Sequence, residues 1–151
     1  MSVPFIIREY TPSDKPRLLE LLRMNIPASF AESEYDDLIH YLDERVELYY
    51  VVELENEIIG AGGINFENDQ RTVIITCDYF HPSCQGKGIG RALLQHRLAV
   101  LKPMPDIKTI RVRTSQFAFG FYGKSGFVLK KIIKDYWAQG YDLCLMEMEN
   151  P

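Results

Sequence analysis

The residues best placed to do chemistry lie between positions 78 and 91. Gln85-Gly86-Lys87-Gly88-Ile89-Gly90-Arg91 follows a β-rich run and precedes a helical one. A strand–turn–helix of this kind aims several unpaired backbone N–H groups at one point, where the helix dipole adds roughly +0.5 charge. Phosphate oxygens are the natural ligand. Gly86, Gly88 and Gly90 permit backbone approach that side chains would block, and Lys87 and Arg91 bring positive charge to the rim. The string GxxxxGK[ST] is absent, and a GxGxxG reading puts Arg91 where the third glycine belongs, in mid-chain rather than after a first strand. The pattern therefore points to a phosphate-bearing ligand of another kind.

Two titratable residues precede the loop. Asp78 is the one acid inside the apolar run 71–80. An acid there is costly to bury unless it is paired or useful. Strict alternation puts Ile74, Thr76, Asp78 and Phe80 on one face of that strand, and a bulge would invert the assignment. His81 has an intrinsic pKa near 6.5, suited to proton transfer, and also reads as a turn histidine before Pro82.

The elements that must position these residues follow from hydrophobic period. Residues 5–10 read as a strand. Thr11-Pro12-Ser13-Asp14 reads as a capping box with proline at the first helical position, opening a helix that ends at Asn25-Ile26-Pro27. Ser33-Glu34-Tyr35-Asp36 reads as a second capping box before a second helix. Residues 48–54 and 57–66 form a hairpin about Glu55-Asn56, with Gly60, Gly62 and Gly63 suggesting a bulge or a close backbone approach. Residues 71–80 are the next strand, stopped by His81-Pro82. The helix after the glycine loop runs to about Leu101 with Leu94, Leu98 and Leu101 inward. A strand at 108–114, a short helix at 117–124 and strands at 127–136 and 141–149 complete the chain. The order β-α-α-β-β-β-α-β-α-β-β predicts a mixed α/β fold, with 71–80, its crossover helix and 108–114 as a parallel βαβ unit.

Composition narrows the class. The 151 residues carry 21 acidic and 17 basic side chains, a net charge of −4, with 46% hydrophobic residues. That is one ordinary globular domain, without the positive field that nucleic acid or an anionic membrane selects. Apolar runs are strand-length, far short of the roughly 20 residues of a membrane span. Three cysteines, Cys77, Cys84 and Cys144, with no CxxC, argue against a disulfide framework or zinc knuckle and for a reducing, cytoplasmic location. No His/Cys/Asp/Glu cluster has metal-ligand spacing, so no metal is expected.

Gln85-x-x-Gly88-x-Gly90 resembles the Q/R-x-x-G-x-G/A signature of the GNAT superfamily of N-acetyltransferases. A second block, Ser115-Gln116-Phe117-Ala118-Phe119-Gly120-Phe121-Tyr122-Gly123-Lys124-Ser125-Gly126-Phe127, is similar to the family's N-x-x-A-x-x-x-Y-x-K-x-G-F segment, with Ser115 where asparagine is common. The resemblance implies a largely antiparallel twisted sheet of about seven strands, with about four helices and a parallel βαβ core splayed at an acetyl-CoA site. It implies that Gln85, Gly86, Lys87, Gly88, Ile89, Gly90 and Arg91 hold the pyrophosphate. The pantetheine arm would enter a cleft near Phe80 and Thr114, pairing with the strand edge around Tyr79 and Phe80, and Ser115 would approach the cofactor. Tyr122 matches the tyrosine that protonates the leaving thiolate. The backbone N–H of Phe80 suits the oxyanion. Asp78, His81 or a water chain serves as base. The implied reaction is direct acetyl transfer from acetyl-CoA to a primary amine of a small molecule or peptide. An idle CoA-binding sensor is the alternative, and a homodimer is an assembly the family commonly adopts.

Overall fold

The computed structural model describes residues 5–84 and 87–150. The apolar β-rich runs form one seven-stranded sheet of β1 (Ile6–Glu9), β2 (Leu48–Leu54), β3 (Glu57–Phe66), β4 (Thr72–Phe80), β5 (Thr109–Thr114), β6 (Val128–Ala138) and β7 (Tyr141–Glu149). The spatial order is β1-β2-β3-β4-β5-β7-β6. Every neighbouring pair is antiparallel except β4 with β5. Glu55 and Asn56 both adopt positive φ, 51° and 65°, as the two-residue hairpin between β2 and β3 demands.

Two apolar layers cover the sheet. Helices α1 (Lys15–Met24) and α2 (Glu34–Glu44) seat Leu18, Leu21, Leu22, Leu38 and Leu42 on Val51, Ala61 and Tyr79. On the other face α3 (Ile89–Leu101) and α4 (Phe119–Lys124) bring Leu93, Leu94, Leu101 and Tyr122 against Val73, Ile75, Ile110 and Val112. At the entry to α1 the Asp14 carboxylate accepts the Thr11 N–H at 2.9 Å, as the first capping box predicts. The second does not form. Ser33 is already helical and its side chain caps nothing, while Glu34 turns back to accept the Ala31 N–H at 2.7 Å. No helix among the described residues is long and apolar enough to cross a membrane.

Strict alternation along β4 also fails, because a bulge interrupts it. Gly63 pairs with Thr76 and Ala61 with Tyr79, so Cys77 and Asp78 together oppose Gly62. Cys77 takes up the extra residue at φ 52°. Thr76 meets Tyr41 of α2, whereas Asp78 and Phe80 turn to the α3–α4 face alongside Val73 and Ile75. The expected face of Ile74, Thr76, Asp78 and Phe80 is therefore corrected: the left-handed residue flips every side chain after it.

The stripe of α3 is corrected as well. Its fully buried positions are Leu93, Leu94, Arg97 and Leu101, with Leu98 only partly buried. Gly62 makes room for this arrangement. A Cβ there would fall 2.8 Å from Arg97 Nη1 and closer still to Asp78 Oδ1. Gly62→Ala should therefore cost about 1–3 kcal/mol of stability, read as a lower urea midpoint at unchanged m-value. An unmoved midpoint would contradict the close packing at this bulge.

Candidate active site

The site begins where the parallel pair comes apart. The β4–β5 ladder runs from Thr72–Thr109 to Ile75–Val112 and stops. Beyond it β4 stays with β3 as far as Phe80, and β5 stays with β7 as far as Thr114. The bulge at Cys77 adds to the divergence by bending β4. A cavity of about 660 Å3 opens at this split, lined by both strands, the start of α3, α4 and the segment between α1 and α2.

Backbone geometry aims one amide into the split. The His81 N–H donates to Ile59 O at 2.8 Å, and Gly60 pairs with Phe80. In an antiparallel ladder this makes Phe80–Gly60 the pair that exchanges no hydrogen bonds, so the Phe80 N–H and C=O point away from β3 toward the gap. The carbonyl is taken by Asn25, whose Nδ2 donates to Phe80 O at 2.9 Å and to Leu21 O at 2.7 Å, tying the end of α1 to the end of β4. By the same alternation the Tyr79 backbone pairs with Ala61. Its contribution to the cavity is therefore its ring, which is buried against Phe30 at a centroid distance of 4.9 Å.

At the far side α3 starts at Ile89 behind Gly88, which has φ 76° and open space around it. Gly88, Gly90 and Arg91 line the cavity. Lys87 is exposed, and the Ile89 side chain is buried in the core below, leaving only its backbone for a ligand. Gln85 and Gly86 lie outside the described residues. The first turn of a helix leaves N–H groups without partners, so this end of the cavity suits an anion. Ser115 also lines the cavity, but its hydroxyl accepts the Phe117 N–H at 3.2 Å in its own turn.

The middle of the cavity holds the densest polar contacts. Tyr122 and Asp78, named from sequence, are brought together: the Tyr122 hydroxyl donates to Asp78 Oδ2 at 2.7 Å. Arg97 grips the same carboxylate with both terminal nitrogens, Nη1 to Oδ1 at 2.6 Å and Nη2 to Oδ2 at 2.7 Å, and gives a further bond to Gly63 O. Burial opposes the Arg97 charge, but the charge and hydrogen bonds of Asp78 outweigh it, so the guanidinium pKa lies above its ordinary value. Burial, reinforced by Asp78, drives the Tyr122 phenol well above 10, so it is protonated at any working pH. His81 Nδ1 accepts the Ser83 N–H at 3.1 Å, which assigns the proton of the neutral ring to Nε2. Sequence reasoning missed Arg97. The signal was present in the spacing Ile89, Leu93, Arg97, Leu101, which places an arginine inside an apolar helical stripe.

The opposite wall comes from residues 25–30 and from the β6–β7 hairpin. The Tyr141 hydroxyl donates to Pro27 O at 2.5 Å, and Trp137 Nε1 donates to Thr114 O at 3.3 Å. Near the end of β6 Trp137 lines the cavity. Glu34 and Asp37 face the cavity from α2, and burial raises the Glu34 carboxyl above its usual range. No group of three His, Cys, Asp or Glu among the described residues is placed to hold a metal ion.

Comparison with known proteins agrees with this geometry. The family model described as acetyltransferase (GNAT) family matches residues 15–127. An N-alpha-acetyltransferase of Sulfolobus acidocaldarius is 27% identical, over 95% of this chain and 92% of its own. The ribosomal-protein-S18-alanine N-acetyltransferase from Escherichia coli shares the fold at a TM-score of 0.78 and 16% identity, over 97% of this chain and 94% of that one. An aminoglycoside 6'-N-acetyltransferase complexed with coenzyme A superposes at a TM-score of 0.77 and 15% identity, over 97% of both chains.

Two thiols, Cys77 and Cys84, also line the cavity. Burial pushes Cys77 up to about 12 and raises Cys84. A thiol at about 12 is almost wholly protonated at pH 8, and its thiolate fraction grows tenfold per pH unit until about 12. Iodoacetamide at pH 8 should therefore leave Cys77 unmodified over an hour by intact-mass analysis. Rapid labelling at Cys77 would contradict its protonated state.

Proposed function

The chain belongs to the GNAT acetyltransferase family and is an acetyl-CoA-dependent acyltransferase; on that premise we propose that it transfers acetyl directly to a primary amine bound beside Tyr122. The observation that carries this reading is the split between β4 and β5, with a free amide at Phe80 and a protonated phenol facing one cavity. Phosphate at the start of α3 and an extended arm between the strands fit the two ends of that opening, the arm adding to a free strand edge. The bound thioester supplies the activated acyl group.

The Phe80 N–H is the donor for the carbonyl oxygen as it gains charge. The leaving sulfur keeps the electron pair of the broken C–S bond and takes a proton from Tyr122. The phenol then regains one from the acceptor nitrogen as the amide forms. Both oxygens of Asp78 are engaged by Arg97 and Tyr122, and the His81 Nδ1 lone pair by Ser83. These contacts favour a water chain over Asp78 or His81 for taking the first proton from the ammonium before attack, with Asp78 holding Tyr122. A covalent acyl-cysteine route is disfavoured by the raised Cys77 and Cys84 thiols.

The acceptor wall carries Glu34 and Asp37, which favours an amine with further positive charge. Solved relatives of the same fold act on a ribosomal protein, an aminoglycoside or spermidine by their names, so small-molecule and peptide amines form the test panel. Thiol release from acetyl-CoA should appear with at least one member of a panel of polyamines, aminoglycosides, amino acids and N-terminal peptides. Tyr122→Phe should cut its turnover by ~100-fold with little change in the KM for acetyl-CoA. Acetyl-CoA binding without thiol release on any amine would instead support an idle sensor, and equal turnover in the variant would remove Tyr122 from the chemistry.

A further inference from the structure

Arg97 is 0% exposed, lies in a stripe that leucine or methionine would continue, and does not line the cavity. The fold makes special room for it. Gly62 leaves the space its Nη1 and the Asp78 carboxylate occupy, the bulge at Cys77 turns Asp78 toward it, and Gly63 O accepts its extra N–H. Among the described residues its Nε has no partner, so the guanidinium is not placed to maximise its own hydrogen bonding. A buried ion pair is often no more stabilising than an apolar pair of the same volume. Stability alone therefore accounts poorly for this residue. What the ion pair does accomplish is specific: it fixes the carboxylate plane so that Oδ2 meets the Tyr122 hydroxyl at 2.7 Å.

We propose that Arg97 is a positioning residue that acts through Asp78 to set the Tyr122 hydroxyl in the cavity wall and to offset the charge that develops on it. The proposal rests on the acetyl-transfer reading above. When the Tyr122 O–H bond breaks and the S–H bond forms, a phenolate is left beside the Asp78 carboxylate. Two negative charges at hydrogen-bond distance repel each other strongly in a buried site, and the Arg97 guanidinium on the same carboxylate offsets that repulsion. This help is greatest when the proton has left, so it raises turnover rather than acetyl-CoA affinity.

The test pairs tyrosine NMR with turnover. Protein carrying 13Cζ-tyrosine is prepared as wild type, Tyr122→Phe, Arg97→Lys and the double variant, the missing signal in Tyr122→Phe assigning the resonance. Lysine keeps the charge but cannot hold the carboxylate at two points. Arg97→Lys is expected to move the Tyr122 resonance. It should lower turnover on the amine found in the panel about tenfold at unchanged KM for acetyl-CoA, and the double variant should be no slower than Tyr122→Phe alone. An unmoved resonance, or losses that multiply in the double variant, would overturn the proposal. If Arg97→Lys does not fold, the neutral pair Asp78→Asn/Arg97→Gln carries the same comparison. If no amine supports turnover, the acetyl-transfer reading fails on its own. The NMR arm then still decides the link from Arg97 to Tyr122: a moved resonance supports it and an unmoved one overturns it.

Discussion

The two-point grip of Arg97 on Asp78 joins the elements on which the site depends. It links α3 to β4 across the bulge, and through Asp78 it reaches Tyr122 on α4. Taking two charges out of water is costly, and their attraction offsets that cost only where they meet in close, two-point geometry. That requirement explains the glycine opposite: a Cβ at Gly62 would fall on the ion pair, while the Gly63 carbonyl accepts from Arg97. It also explains why β4 breaks its alternation at Cys77. Without the flip, Asp78 would face α1 and α2 and their apolar layer of leucines and tyrosines.

The bulge also serves the cavity. A regular β4 would keep its parallel ladder with β5 for more residues. Here the ladder ends at Ile75–Val112, and the freed edge of β4 carries the outward amide of Phe80. Asn25 holds the adjacent carbonyl from the other side, so the strand end is fixed by α1 rather than left loose. The start of α3, the outward amide at the strand end and the Tyr122 phenol between them all face that one opening in the sheet.

Much of this was legible before any coordinates. Hydrophobic period located the longer strands and helices, and breakers such as Gly126 bounded the short ones, β1 and α4. The glycine loop and the block ending at Gly126-Phe127 were visible as motifs, and their described residues Gly88, Gly90, Ser115 and Tyr122 line one cavity. What could not be read was tertiary. Gly62 announced a close approach, but not that Asp78 and Arg97 were what approached. Cys77 carries no local sign of a left-handed conformation, since neither glycine nor asparagine stands there. The place of Arg97 in an apolar stripe is visible in the sequence, but not the carboxylate that it meets. Ser33 looks like a cap, yet the helix begins before it can act as one.

The central claim is that acetyl-CoA lies in the opening between β4 and β5 with its phosphates at the start of α3. Titration of 15N-labelled protein with acetyl-CoA, followed amide by amide in NMR spectra, tests this most directly. The account predicts the largest shifts at Phe80, Gly88, Gly90 and Ser115, with β1 and β2 unmoved. Absence of shifts at saturating ligand, or shifts centred on another face of the sheet, would contradict it.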